Sequence, residues 1–141
     1  MVIVDANVLI YAVDSTADHH GNSRSWLDRS LAGAEAVGLA WVALLAFVRI
    51  ATNPAIHPTP MTVDDAVDQI ESWLGAPAAV VAHPTARHVG VLGSLMRTVG
   101  TGGNLTTDAH LAALAIEHSA EIVSFDRDFA RFTGVKHRIP G

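Results

Sequence analysis

Three aspartates stand where a chain can put carboxylates to chemical use. Asp5 follows Val2-Ile-Val4 and precedes a second apolar run, Asp108 lies in the first turn of a helix that follows a glycine-rich stretch, and Asp126 ends the segment Glu121-Ile-Val-Ser-Phe125. An ionised side chain inside an apolar run is costly unless something uses it, so Asp5 is the most informative of the three. Converging carboxylates repel and raise one another's pKa unless a cation neutralises them. An all-oxygen set with open positions suits Mg²⁺, with Mn²⁺ as the alternative. Asn7, two residues beyond Asp5, has the donors and acceptor to orient a carboxylate or a water. Taken singly, Asp108 reads equally as a favourable charge at a helix N-terminus, worth about 0.3–1 kcal/mol, and Asp126 as an ordinary turn residue.

What would gather them is an α/β sheet. A run apolar on both faces, such as Met1–Val4, suits a strand covered on both sides, and strand ends and helix starts share one edge of a parallel sheet. The spacing predicts a helix over 15–33, capped by Ser15 or Thr16 and facing inward with Trp26, Leu27 and Leu31. It then predicts a strand over 36–40 and a buried helix over 41–52, broken only by Arg49 and stopped by Asn53-Pro54. Residues 53–61 hold three prolines and form a loop. Thr62 opens a helix with Asp65 three residues later, as in a capping box, and Val63, Val67, Ile70 and Leu74 supply its apolar stripe. A strand over 78–82, a helix over 84–99 and a glycine-rich loop over 100–104 follow. The chain closes with a helix from Thr106 or Thr107 to His118 with Leu111, Leu114 and Ala115 inward, a strand over 121–125, a helical turn over 128–132 and an edge strand over 135–139. That order is a three-layer α/β/α domain with a mostly parallel central sheet, one domain spanning residues 1–141.

Composition narrows the function classes. The chain of 141 residues is 50% apolar and 16% charged, which excludes a disordered tail. With no cysteine, disulfides, thiolate metal sites and a Cys nucleophile are excluded. No apolar run reaches the length of a membrane span and no secretory signal is evident, so no membrane association and a cytoplasmic location are expected. The net charge of −5 argues against a general nucleic-acid coat protein but leaves room for acids gathered in one cleft. The eight histidines show no zinc-ligand spacing, and His110 falls on the side of its helix away from Asp108. None is assigned to catalysis. Arg127, Arg131, Lys136 and Arg138 cluster late in the chain, as a rim for phosphates or as a solvated face.

Three motifs together, Val4-Asp5-Ala-Asn7-Val-Leu9, Thr106-Thr-Asp108-Ala-His-Leu-Ala-Ala-Leu-Ala115 and Val123-Ser-Phe-Asp126-Arg-Asp128-Phe129, resemble the PIN-domain family, and more narrowly the VapC toxins of type II toxin–antitoxin pairs. The resemblance spans essentially the whole chain. It implies a Mg²⁺-dependent endoribonuclease that cuts RNA to leave a 5′-phosphate, a cognate VapB-like antitoxin that inserts an arm into the active groove, and a homodimer. Carried over to this chain, Asp5, Asp108 and Asp126 become the metal-binding, catalytic acids. Asn7 would shape the end of the first strand, Ser124 would support the last acid, and Asp128 would be an outer acid or a cap for its own turn. Arg49 is a candidate contact for RNA phosphate or for the antitoxin, or a side chain that only snorkels from a buried face. The family usually brings a Glu from the helix after the second strand. Here residues 41–52 contain no acid, and Ala46 occupies the place expected for it. Two rivals follow: a degenerate PIN-like domain that binds RNA or a protein partner without cutting, and a haloacid-dehalogenase-like phosphatase. The second would want an acid at position 7, where this chain has Asn7.

Overall fold

The computed structural model describes residues 1–100 and 102–141. Five strands form one sheet in the order β3-β2-β1-β4-β5, with β1 at Val2–Val4, β2 at Val37–Leu39, β3 at Ala79–Val81, β4 at Glu121–Val123 and β5 at His137–Arg138. Every pairing is parallel, with Val2 against Val37 on one side of β1 and Val2 against Glu121 on the other. The sheet expected to be mostly parallel is parallel in every described pairing.

Alternation along β1 divides the core in two. Val2 and Val4 face one layer, made by α1 (Ala6–Val13), α2 (His20–Leu31), α3 (Trp41–Ala51) and α4 (Val63–Leu74), around Leu9, Trp26, Leu27, Leu44, Phe47 and Trp73. Ile3 faces the other, made by α5 (His88–Val99) and α6 (Thr106–Glu117) with Leu111, Leu114, Phe129 and Phe132. Among the described residues no helix is long and apolar enough to cross a membrane.

Four sequence expectations shift. The apolar run after Asp5 is the helix α1, because Asp5 caps it: the Ala6 N–H donates to Asp5 Oδ1 at 2.7 Å. A short apolar run does not by itself distinguish helix from strand. α2 begins at His20 instead of residue 15, since Asp14 accepts from both the N–H and the hydroxyl of Thr16 and holds that segment in a turn. Helix α4 is capped by Thr62 as expected, its hydroxyl accepting from the Asp65 N–H at 3.0 Å. Its buried face is nonetheless Ala66, Ile70 and Trp73, while Val63 and Val67 are exposed. Neither Thr106 nor Thr107 caps α6, because a 3-10 turn at Gly103–Leu105 runs straight into it. The loop expected at 100–104 includes Thr101, which lies outside the described residues.

The chain leaves β1 in opposite directions, toward β2 and β3 on one side and β4 and β5 on the other. Such a reversal opens a crevice at the carboxyl ends of the two central strands. Asp5 follows β1 and Ser124 to Asp126 follow β4. The N-terminus of α6 reaches the same edge, because its C-terminus feeds the start of β4.

Candidate active site

Ser124 is wholly buried and joins the two strand ends. Its hydroxyl donates to Asp5 Oδ2 at 2.6 Å and accepts from the Asn7 side-chain amide at 3.1 Å and from the Asp126 N–H at 2.9 Å. One donor and two lone pairs are thus fully used. Asn7 adds a donation to Asp5 Oδ2 at 3.3 Å, while its carbonyl accepts from the Phe125 N–H at 3.3 Å. Asp5 is held by three donors, Ala6, Asn7 and Ser124, which leaves one acceptor position on Oδ1 unused by these bonds. Both residues expected to support the site, Asn7 and Ser124, lie against Asp5.

Asp126 opens a 3-10 turn, Arg127–Arg131, and its Oδ1 accepts from the Asp128 N–H at 2.9 Å. That turn swings Asp128 back toward α6. One carboxylate oxygen from each of Asp108, Asp126 and Asp128 lies within 4.8 Å of the others. Asp5 is near enough that the charge of Asp126 acts on it and its own charge acts on Asp108.

Burial, then the negative charges of Asp126, Asp5 and Asp128, push the Asp108 carboxyl up to about 6. Burial likewise pushes Asp5 up, opposed by the Ser124 hydroxyl and the Ala6 N–H and, more weakly, by His137. The helix N-terminus around Asp108 should favour its ionised form, yet burial and then the neighbouring acids outweigh it. Among the described residues none of the four acids pairs with Arg or Lys. An oxygen-only set with unneutralised charge fits a hard divalent cation.

Other residues fall elsewhere. Arg49 is exposed in the last turn of α3, about 12 Å along the helix from its start. Ala46 is half-buried within α3, and that helix carries no acid. Arg138 forms ion pairs with Glu121 at 3.0 Å and Glu35 at 3.6 Å. A cavity of about 350 Å³ between α1 and the proline-rich loop is lined by Ile10, Asp14, His57 and Met61 among others, away from the four acids.

Two features escaped the sequence reading. Glu117 accepts from the N–H and hydroxyl of Thr85 and meets His88 Nδ1, and His88 Nε2 meets His110 Nδ1 at 2.9 Å, bracing α5 against the helix that carries Asp108. The spacing of His110 and Glu117, seven residues apart, was the available signal, since it puts both on one helix face. The second is an aromatic group of Tyr11, His19 and Phe125 beside the acids. Nothing local in the sequence joins residues so far apart.

The PIN domain family model matches residues 2–135. The chain is similar to ribonuclease VapC37 of Mycobacterium tuberculosis, 56% identical over 136 residues, covering 96% of this chain and 94% of that protein. Ribonuclease VapC33 of the same organism is 37% identical over 140 residues, covering 99% and 98%. Among solved structures, M. tuberculosis VapC20, a Sarcin-Ricin loop cleaving toxin, superposes with a TM-score of 0.69 at 16% identity over 96% of this chain and 99% of that one. VapBC2 from Rickettsia felis, bound to a DNA fragment from its promoter, superposes with a TM-score of 0.67 at 16% identity over the full length of both chains. At such identities the superpositions establish the fold alone, whereas the family match and the close relatives establish descent: the chain belongs to the PIN-domain family, in its VapC branch.

Proposed function

We propose that this protein is a metal-dependent endoribonuclease, the toxin of a type II toxin–antitoxin pair. The observation that carries the reading is the convergence of Asp108, Asp126 and Asp128 within 4.8 Å, beside a braced Asp5, with no Arg or Lys paired to them among the described residues. The names of the close relatives, all VapC ribonucleases, support the reaction class. In this reading residues 1–141 are one PIN-like domain, and Asp5, Asp108 and Asp126 hold Mg²⁺, or Mn²⁺ in its place, with Asp128 offering a further oxygen.

When bound, the cation would neutralise charge developing on the phosphate and lower the pKa of a water. The side chains do the rest. Ser124 and Asn7 fix the Asp5 carboxylate in place, with one acceptor position on Oδ1 left for the cation. Asp126, locked by its own bond to the Asp128 N–H, keeps a second acceptor beside Asp108. Without a cation, burial and the neighbouring acids push the Asp108 carboxyl up to about 6; a bound cation would favour its ionised, ligating form.

The partners follow from the same reading: RNA as substrate, a VapB-like antitoxin as the cytoplasmic inhibitor and a second copy of the chain. The fold shared with the VapBC2 assembly on a DNA fragment from their promoter supports a VapB-like antitoxin. Trp41 and Leu45, exposed one turn apart on α3, support a protein-covered face there. Arg49 extends that face by one more turn as an antitoxin or RNA contact.

A second reading has its own observation. Helix α3 delivers no acid to the site, which favours a non-cleaving domain that binds RNA or a partner. The test is to free the purified chain of any partner and incubate it with structured RNA, with Mg²⁺, with Mn²⁺ or with chelator. Cleavage products carrying 5′-phosphates only when metal is present support the nuclease. Metal binding without cleavage selects the binding domain.

A further inference from the structure

The rings next to the acidic crevice are arranged for a task that holding a cation does not require. Phe125 lies between Ser124 and Asp126, its own N–H tied to Asn7, and packs against the core of the α1 layer. On it lies the imidazole of His19, with ring centres 4.2 Å apart and planes 14° from parallel. Tyr11, one helical turn beyond Asn7, is 5.9 Å from His19 and 5.6 Å from Phe125. A ring nearly equidistant from both members of a stack flanks its edge, so Tyr11 leaves the outer face of His19 uncovered. His19 is exposed, on the turn that leads into α2.

We propose that the outer face of His19, stacked on Phe125 beside the acids, is the platform on which one unpaired nucleobase of the RNA rests next to the phosphate to be cut. The inference deepens the ribonuclease reading and rests on it. Splayed-out bases stack on aromatic and histidine rings, and such stacking tolerates any base because each has a π-face. The stack is pre-assembled, so its order is already present before RNA arrives. Phe125 is covalently next to Asp126 and its N–H donates to Asn7, so in this proposal a base on the stack brings its own phosphate toward the carboxylates. A base still paired in a duplex offers no free face to the platform.

The test uses RNA oligonucleotides carrying 2-aminopurine at successive positions around the cleavage point, bound to the full-length Asp108→Asn chain so that they stay intact. Fluorescence quenched at one position is expected. Adding His19→Ala should abolish that quenching and weaken binding about tenfold or more, whereas His19→Phe, which keeps a ring, should retain both. With Asp108 present, His19→Ala should act mainly on KM, while Mn²⁺ affinity and the thermal midpoint stay at the parent values. Binding and quenching unchanged by His19→Ala would overturn the platform even if the chain cuts RNA. A chain that cuts no RNA but shows His19-dependent quenching would overturn the nuclease reading and keep the platform as a base-binding site.

Discussion

Ser124 shows how much of the site depends on one small side chain. Its buried hydroxyl serves Asp5, Asn7 and the Asp126 N–H together. Ser124→Ala leaves the Asp126 N–H and one Asn7 amide N–H without their acceptor and Asp5 Oδ2 with Asn7 alone, a loss of about 1–3 kcal/mol. Because the hydroxyl aims the acids and does not itself meet RNA, cleavage should fall roughly 10–100-fold; urea unfolding and initial rates check the two effects separately. Asp108 carries the opposite kind of cost. Its raised pKa means that the folded chain holds a proton that the unfolded chain has lost, so its contribution to stability falls as pH rises from about 4 to about 6. Above that window the metal-free protein carries the repulsion in full. Asp108→Asn should therefore stabilise the metal-free fold at pH 7.5 by about 1 kcal/mol, a value kept small because solvent screens a half-buried group. The gap between variant and parent should close as pH falls toward 4.

At the scale of elements, the strands matter for where they end. β1 and β2 pack so closely that a Cβ at Gly38 would lie 2.8 Å from Met1 Cε and 2.9 Å from Ile3 Cγ1. Gly38→Ala should cost about 1–3 kcal/mol by overpacking and lower the melting temperature by several degrees, with cleavage at permissive temperature reduced little. Much of this level was legible in the sequence. The strand ending at Asp5, the capped helix at Thr62 and the inward face Leu111, Leu114 and Ala115 all follow from local pattern. The misreadings have a common cause in tertiary context. Val63 and Val67 have the right period for burial, but α4 is rotated so that the larger Trp73 packs edge-on against Phe47 with centres 4.8 Å apart. Helix α1 was hidden because its apolar run is short and sits against a strand. Asp128 joins Asp108 and Asp126 only through the 3-10 turn, which spacing alone does not reveal. The stack of His19 on Phe125 joins segments more than a hundred residues apart, and no local pattern encodes that.

For the whole molecule, the unneutralised acids make folding, pH and cation binding one linked system. A divalent cation that binds only the folded state should raise the melting temperature, by about 2.7 kcal/mol of stability at a hundredfold excess over its Kd. It must displace the proton from Asp108, so the gain should shrink as pH drops below about 6; thermal scans with and without Mn²⁺ at pH 5 and pH 7.5 check this. In the proposed site, the absence of an acid in α3 would put more of that binding on Asp5, Asp108 and Asp126, with Asp128 as reinforcement. The most direct measurement of the central claim compares cleavage of one RNA by the parent chain, Asp5→Asn, Asp108→Asn and Asp126→Asn, prepared side by side in Mn²⁺. Cutting by the parent and a loss of at least about 100-fold in each variant are expected, on the scale of removing a charged group that acts in the transition state. Equal cutting by all four chains, or a parent that binds Mn²⁺ and leaves the RNA intact, would contradict it.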